Sequence, residues 1–426
     1  MASGIQTLVG RPAMKVFRRA EIKRRSSSTG LFESSWMDIS EFVKRWGSFE
    51  SAVDDVRLNK FTHSGLTLVV RNDGGDFNVE TDGNSLWNGY LTRYRTLIRI
   101  QAGYVDEDGG ELPTETTQGI YVMSEEVPIS AETNEAVLNC RSLVSIFDEV
   151  RAVEVAGLGT TQSASDLITK IRDHTDGAGT FVFRQFITST AWTIQTTTAQ
   201  YNLATTGSLS NFTCWELMTT LAEAEGNVVM VNRTGGVEFR SREERSSTTA
   251  FELYGLGFPE MNIIRVTETK EALNRYFNFF RLKYLSPDTA TSYVTAGTST
   301  TVDASSTAWK YGNRVYQFEA VDFFPGATSA TAVVNGLLSD SGDGPAQEAS
   351  MVCKFLPSVE VLDRVEGNYH SFSLNGTTLW DFFDWDTGYW DAEFGENINW
   401  TDKALKVISK VTDLDQMTTM LKVQEL

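Results

Sequence analysis

Apolar and polar positions alternate along much of the chain, and clusters of turn-forming residues break the alternation repeatedly. Leu66-Thr67-Leu68-Val69-Val70 is a short apolar run that stops at Arg71-Asn72-Asp73-Gly74-Gly75-Asp76. Such a run fits a strand, because branched aliphatic side chains pack on a pleated surface. The Asn, Asp and Gly that follow accept the backbone angles of a tight turn. Thr96-Leu97-Ile98-Arg99-Ile100 and Gly119-Ile120-Tyr121-Val122 repeat the pattern around a second turn, Val105-Asp106-Glu107-Asp108-Gly109-Gly110. Strands separated by tight acidic turns predict a small antiparallel barrel or sandwich over residues 31–155.

The period changes over residues 156–260. Ser163 can cap a helix whose first turn holds Asp166, with Leu167, Ile168 and Ile171 on one face. Thr213-Cys214-Trp215-Glu216 matches a capping box. Trp215, Met218, Leu221 and Ala222 follow at helical spacing, and Gly226 is placed to stop the helix. Val228–Val231, the turn Asn232–Gly236 and Val237–Arg240 then predict a hairpin. Residues 261–426 return to strands: Phe277–Tyr284, then a terminal pair, Leu405–Val411 and Met420–Glu425, around a turn at Thr412–Asp415. A helix interrupts them near 328–338. The reading is α+β, mainly β, with two β segments flanking a smaller α/β insert.

Composition adds Thr, Ser and aromatic residues in quantity, which favours the β reading. Charge divides the chain unevenly. Residues 1–30 carry Arg11, Lys15, Arg18, Arg19, Lys23, Arg24 and Arg25 against the single acid Glu21, while the whole chain has a net charge of -19. This predicts a separate basic N-terminal arm, ending in Ser26-Ser27-Ser28-Thr29-Gly30. It would dock on an acidic neighbour, bind nucleic acid, or stay a solvated tail. The acidic body argues against nucleic-acid binding as the main task, since phosphate affinity comes from clustered Lys and Arg. Three scattered cysteines make no disulfide framework, and Cys214 reads as a small buried hydrophobe. No apolar run reaches the length of a membrane span or follows the basic terminus as a signal peptide would, so synthesis and folding in the cytoplasm are expected.

Catalytic patterns are missing from the sequence. His63, His174 and His370 stand apart, and no HExxH, GxSxG, Walker or dinucleotide motif occurs. No catalytic residue, metal ligand or cofactor is therefore assigned, and a non-enzymatic protein is expected. The odd stretch is 379–400, where Trp380-Asp381, Trp385-Asp386 and Trp390-Asp391 recur every five residues and Trp400 follows. Five matches neither the strand period nor the helix period, so an irregular loop is expected. Trp380, Trp385, Asp386, Trp390, Asp391 and Trp400 are candidate partner-binding residues, because Trp is enriched at interface hot spots. A sugar platform, a Ca²⁺ site and simple packing are the alternatives.

Several segments in order resemble one family. Asp38–Val43 leads to Val53–Leu58, to the strand ending Val70-Arg71-Asn72-Asp73-Gly74-Gly75-Asp76-Phe77, to Ile98–Tyr104 and to Gln118-Gly119-Ile120-Tyr121. The helix Thr213–Gly226 with its hairpin to Phe239-Arg240-Ser241-Arg242 follows, then Tyr311–Arg314, Val361–Val365 and the terminal strand pair. This order resembles the tail-hub proteins of bacteriophages. The resemblance implies two tail-tube-like antiparallel β-barrels per chain, residues 31–155 and 261–426, around the insert. It further implies a homotrimer at the tail tip or baseplate of the virion, matching three pairs of barrels to a sixfold tube. Expected partners are the distal tail ring or tube, the tape measure, and fibre or tip proteins. DNA would pass through an acidic channel during genome ejection without specific binding. The family supplies no catalytic residues, and the chain stops soon after its last strands, so no further enzymatic domain is expected. The alternatives are a hexameric distal tail ring protein and a carbohydrate-binding or hydrolysing tail-tip protein.

Overall fold

The computed structural model describes residues 15–24, 32–53, 60–78, 87, 91, 96–105, 117–123, 127–130, 132–201, 203, 209–255, 258, 260–271, 273–274, 276–285, 291–297, 311–312, 314–319, 327–340, 345–370 and 399–426. Strands dominate them, with a minority of helix, as the sequence pattern predicts. Two eight-stranded sheets form the body.

The first sheet runs Met37–Asp38, Val16–Arg24, Thr96–Tyr104, Thr117–Met123, Glu135–Ser142, Leu66–Arg71, Val43–Arg45, and Ile129–Ser130 adds to the side of Glu135–Ser142. Its end strands are neighbours in sequence, joined by Ile39–Phe42. Five steps of chain reach at most about 18 Å, whereas seven flat strands would put the ends about 29 Å apart. The sheet must therefore curl. Polar groups of the link tie it to the second strand in: Ile39 N–H donates to Ala20 O at 2.8 Å, and Ala20 N–H donates to Ser40 Oγ at 3.0 Å.

The second sheet runs Phe251–Tyr254, Arg364–His370, Asn399–Asp413, Thr418–Glu425, Gln347–Lys354, Ile263–Glu271. Its end strands are again consecutive in sequence. Here one residue bridges the seam. Fully buried Asn262 accepts from Tyr254 N–H at Oδ1 and donates from Nδ2 to Glu252 O, both at 2.9 Å. Its backbone N–H donates to Tyr254 O and its carbonyl accepts from Lys354 N–H. The side chain thus takes the place of a missing ladder between the two ends.

The sheets also exchange chain. Ser48–Ala52 leaves the first sheet to pair with Ser409–Asp413 of the second, and Thr62–His63 pairs with Ser51 and Ala52. Gly47 makes the crossing with φ +68°, where a Cβ would stand 2.7 Å from Thr67 O, so only glycine fits. The Asp415 carboxylate holds the crossing by accepting from Trp46 and Gly47 N–H at 2.9 and 3.1 Å. One core serves both sheets, with Ile22, Leu68, Ile98 and Leu138 joined to Phe251, Met351, Leu405 and Val423.

The insert follows Ser142. Ser163 Oγ caps Ala164–Arg172 by accepting from Asp166 N–H, and Thr213 and Glu216 close the expected capping box on Cys214–Ala224. Gly226 ends that helix at φ +69°. The predicted hairpin is Asn227–Val231 with Val237–Ser241, and Trp192–Ile194 lies parallel to its second strand. A further element was not expected: between Glu271 and Gln347, the strands Thr291–Gly297, Phe279–Leu285 and Val315–Glu319 form a small sheet beside helix Ala327–Asp340. It shares the insert's core through Phe280, Leu282, Val334 and Leu337.

The separate arm expected over 1–30 needs correction over its described residues, 15–24. Val16–Arg24 is a strand of the first sheet, in register with Thr96–Tyr104 along its whole length. Ala20 and Ile22 point into the core between charged neighbours, so the charge count concealed an alternating strand.

Candidate functional site

The basic residues of the N-terminal strand are engaged within the chain. Arg24 Nε donates to Glu33 at 2.7 Å, Arg19 lies 3.5 Å from Asp38, and Glu21 pairs with Arg99 at 2.6 Å. Arg18 donates to Leu414 O at 2.7 Å and lies over the Trp46 ring, which ties the strand to the second sheet. Lys23 and Arg99 both lie over Trp36, at 5.3 and 4.4 Å from its ring centre. Lys15 is exposed. Arg11 and Arg25 lie outside the described residues, as do Trp380, Trp385, Asp386, Trp390 and Asp391. Trp400 is described and buried beside Tyr369, at the mouth of the pair His370 and Asn399.

The polar groups that the structure does gather meet at the loop Phe355–Asp363, which touches every part of the body. From the first sheet, the Tyr104 hydroxyl donates to Phe355 O and Gln118 Nε2 donates to Pro357 O. From the insert, Arg233 donates to Pro357 O at 2.7 Å, and its Nε pairs with Glu360 at 2.7 Å. Arg245 pairs with Glu360 at 2.8 Å and lies near Glu238 and Asp363. From the second sheet, Lys410 Nζ donates to Val359 O at 2.7 Å. The apolar residues of the loop divide between the two cores: Phe355, Leu356 and Val359 enter the shared core of the sheets, and Val361 and Leu362 enter that of the insert. Leu362 is held at φ +67°, a conformation costly for a branched side chain.

Beside the loop lies a cavity of about 30 Å³ lined by Phe49, Phe61, His63, Gln118, Arg233 and Lys410, among others. That is room for roughly one water, far below the size of a small-molecule pocket. Lys410, Ser51 and His63 sit side by side on three neighbouring strands. Burial pushes the Lys410 amine down to about 7 and the His63 imidazole down to about 4. Burial likewise raises the Asp363 carboxyl to about 6 against the pull of Arg245. His63 belongs to the second sheet but contacts the first, through Ser142 Oγ at 2.9 Å and a stacked Tyr121 ring. Sequence reading named His63 only as a histidine outside any motif, and it missed Lys410. The only signal was a lysine inside an apolar strand, which ordinarily points to solvent.

Among the described residues no group of three or more His, Cys, Asp or Glu is placed to hold a metal ion, and no helix is long and apolar enough to cross a membrane. The three cysteines are free and buried, and burial lifts the Cys214 thiol to about 12, away from reactivity.

The outer faces of the two sheets differ. On the first, the directly paired Leu97 and Val122 are covered by the insert's core. On the second, Val352, Met420 and Val411 form a row across three strands, with Ile264 on a bulge at its end. Met420 is 47% exposed and Ile264 52%.

No protein-family model matches the chain, and no curated protein matches its sequence. Solved structures do match its fold. A tail protein from Neisseria meningitidis MC58 is 11% identical with a TM-score of 0.52, covering 96% of each chain. Prophage tail protein gp18 from Listeria monocytogenes EGD-e is 11% identical with a TM-score of 0.50, covering 95% of this chain and 94% of its own.

Proposed function

We propose that the chain is a structural, non-enzymatic subunit of a bacteriophage tail. In this reading it sits in the virion at the tail tip or baseplate and forms a trimeric ring that joins a sixfold tube to the tip. The observation that carries the reading is the pairing of two curled eight-stranded sheets on one core, in a fold shared over nearly the whole chain with a tail protein and a prophage tail protein. Two such units per chain let three chains present six near-equivalent units, which is how a threefold ring can meet a sixfold one. The acidic composition suits a channel wall that DNA must pass without adhering. Neighbours would be the tube or distal tail ring, the tape measure and tip or fibre proteins, with the Trp-Asp stretch 379–400 among the contact regions.

The test is the native mass of the purified chain together with averaged images of tails carrying a tag on it. Three copies in a ring at the tail end are expected. Six copies would favour a distal ring protein instead. A lone monomer absent from tails would overturn the proposal.

A further inference from the structure

Lys410 is enclosed from every side. Its strand neighbours Ser51 and Leu421 bring no charge. The charged or titratable groups facing it are Arg233 from the insert hairpin, Glu360 and Asp363 from the loop, and His63 across Ser51. Behind these, Arg240, Arg245 and Glu238 extend the network into the insert. With Lys410 neutral, three guanidinium groups face three carboxylates. A proton on Lys410 adds an unmatched positive charge to a buried joint whose nearest free space holds about one water.

The geometry points to a proton-operated joint: the loop Phe355–Asp363 clamps the insert against both sheets while Lys410 is neutral, and protonation of Lys410 loosens the clamp. This inference is independent of the assembly reading. Three features place the device here. The loop is the meeting point of three bodies, Lys410 holds its middle through one hydrogen bond to Val359 O while the flanking Leu356, Leu362 and Asp363 are bonded to Thr419 and Val407, and Leu362 holds a positive φ.

The direction of the pH response follows from the shifts. The Lys410 amine is lowered from 10.5 to about 7, so the closed form binds fewer protons and is weakened as pH falls from 10.5 to 7. His63, lowered from 6.5 to about 4, adds a second loss between those values. Asp363, raised from 3.8 to about 6, opposes it there, because its proton is bound more readily in the closed form. The clean window is therefore the alkaline one.

Hydrogen exchange on the full chain, corrected for intrinsic rates, tests this between pH 9.5 and 6.5. Protection of 227–241 and 355–363 should fall about tenfold or more as pH drops, while Thr96–Tyr104 keeps its protection. Lys410→Met should hold the joint closed throughout, and Lys410→Arg should leave it weak throughout. Identical pH profiles in wild type and Lys410→Met would overturn the inference, as would loss of protection in the sheet along with the joint. NMR titration of the Lys410 side chain in the wild type needs no variant. A midpoint near 7 is expected, and one at 10 or above would overturn the inference.

Discussion

The two sheets solve one problem in two ways. Each is a curled array whose end strands are neighbours in sequence, and each needs polar groups to finish its seam. The first uses a short link in which Ser40, only half-buried, meets Ala20 N–H with its Oγ. The second uses Asn262, fully buried, whose amide serves both a donor and an acceptor of the opposite end strand. The outer faces divide in the same manner. The first is roofed by the chain's own insert, and the second presents Ile264 and Met420 outward. The lesson is that a seam or face left to the solvent tolerates change, whereas one built into the interior does not.

Single substitutions sharpen that contrast. Asn262→Ala strands a buried donor and a buried acceptor and should cost about 3 kcal/mol in denaturant unfolding. Leu97→Ala opens a cavity under the insert and should cost about 2–3 kcal/mol by the same measurement. Ser40→Ala, at the wetter seam, should cost about 1 kcal/mol. Met420→Ala should change the stability of the isolated chain by no more than about 0.5 kcal/mol. If Ser40→Ala proved as costly as Asn262→Ala, or Met420→Ala as costly as Leu97→Ala, the contrast would fail.

Much of this was legible in the sequence because it is local. The capping box at Thr213–Glu216, the stop at Gly226, the hairpin after it and the terminal strand pair depend on residues a few positions apart. Helix Ala327–Asp340 also covers the expected 328–338. Features that depend on distant partners were not legible. Val16–Arg24 carries enough positive charge to read as an arm, and only its pairing with Thr96–Tyr104 shows why Ala20 and Ile22 alternate with it. Asn262 looks like a turn residue until the end strands are known to meet. Lys410 looks like a solvated lysine until the loop and the insert are seen to cover it. The Trp-Asp repeat, the plainest oddity of the sequence, falls outside the described residues apart from Trp400, which is buried.

The excursion of Ser48–Ala52 has a consequence for how the molecule is made. Its partners Ser409–Asp413 lie far downstream in the chain, and Arg18 likewise waits for Leu414, 396 residues away. Closure of such distant pairs is slow. The first sheet can form its own ladders within residues 16–142, yet the core it shares stays open until the strands of the second sheet settle on it.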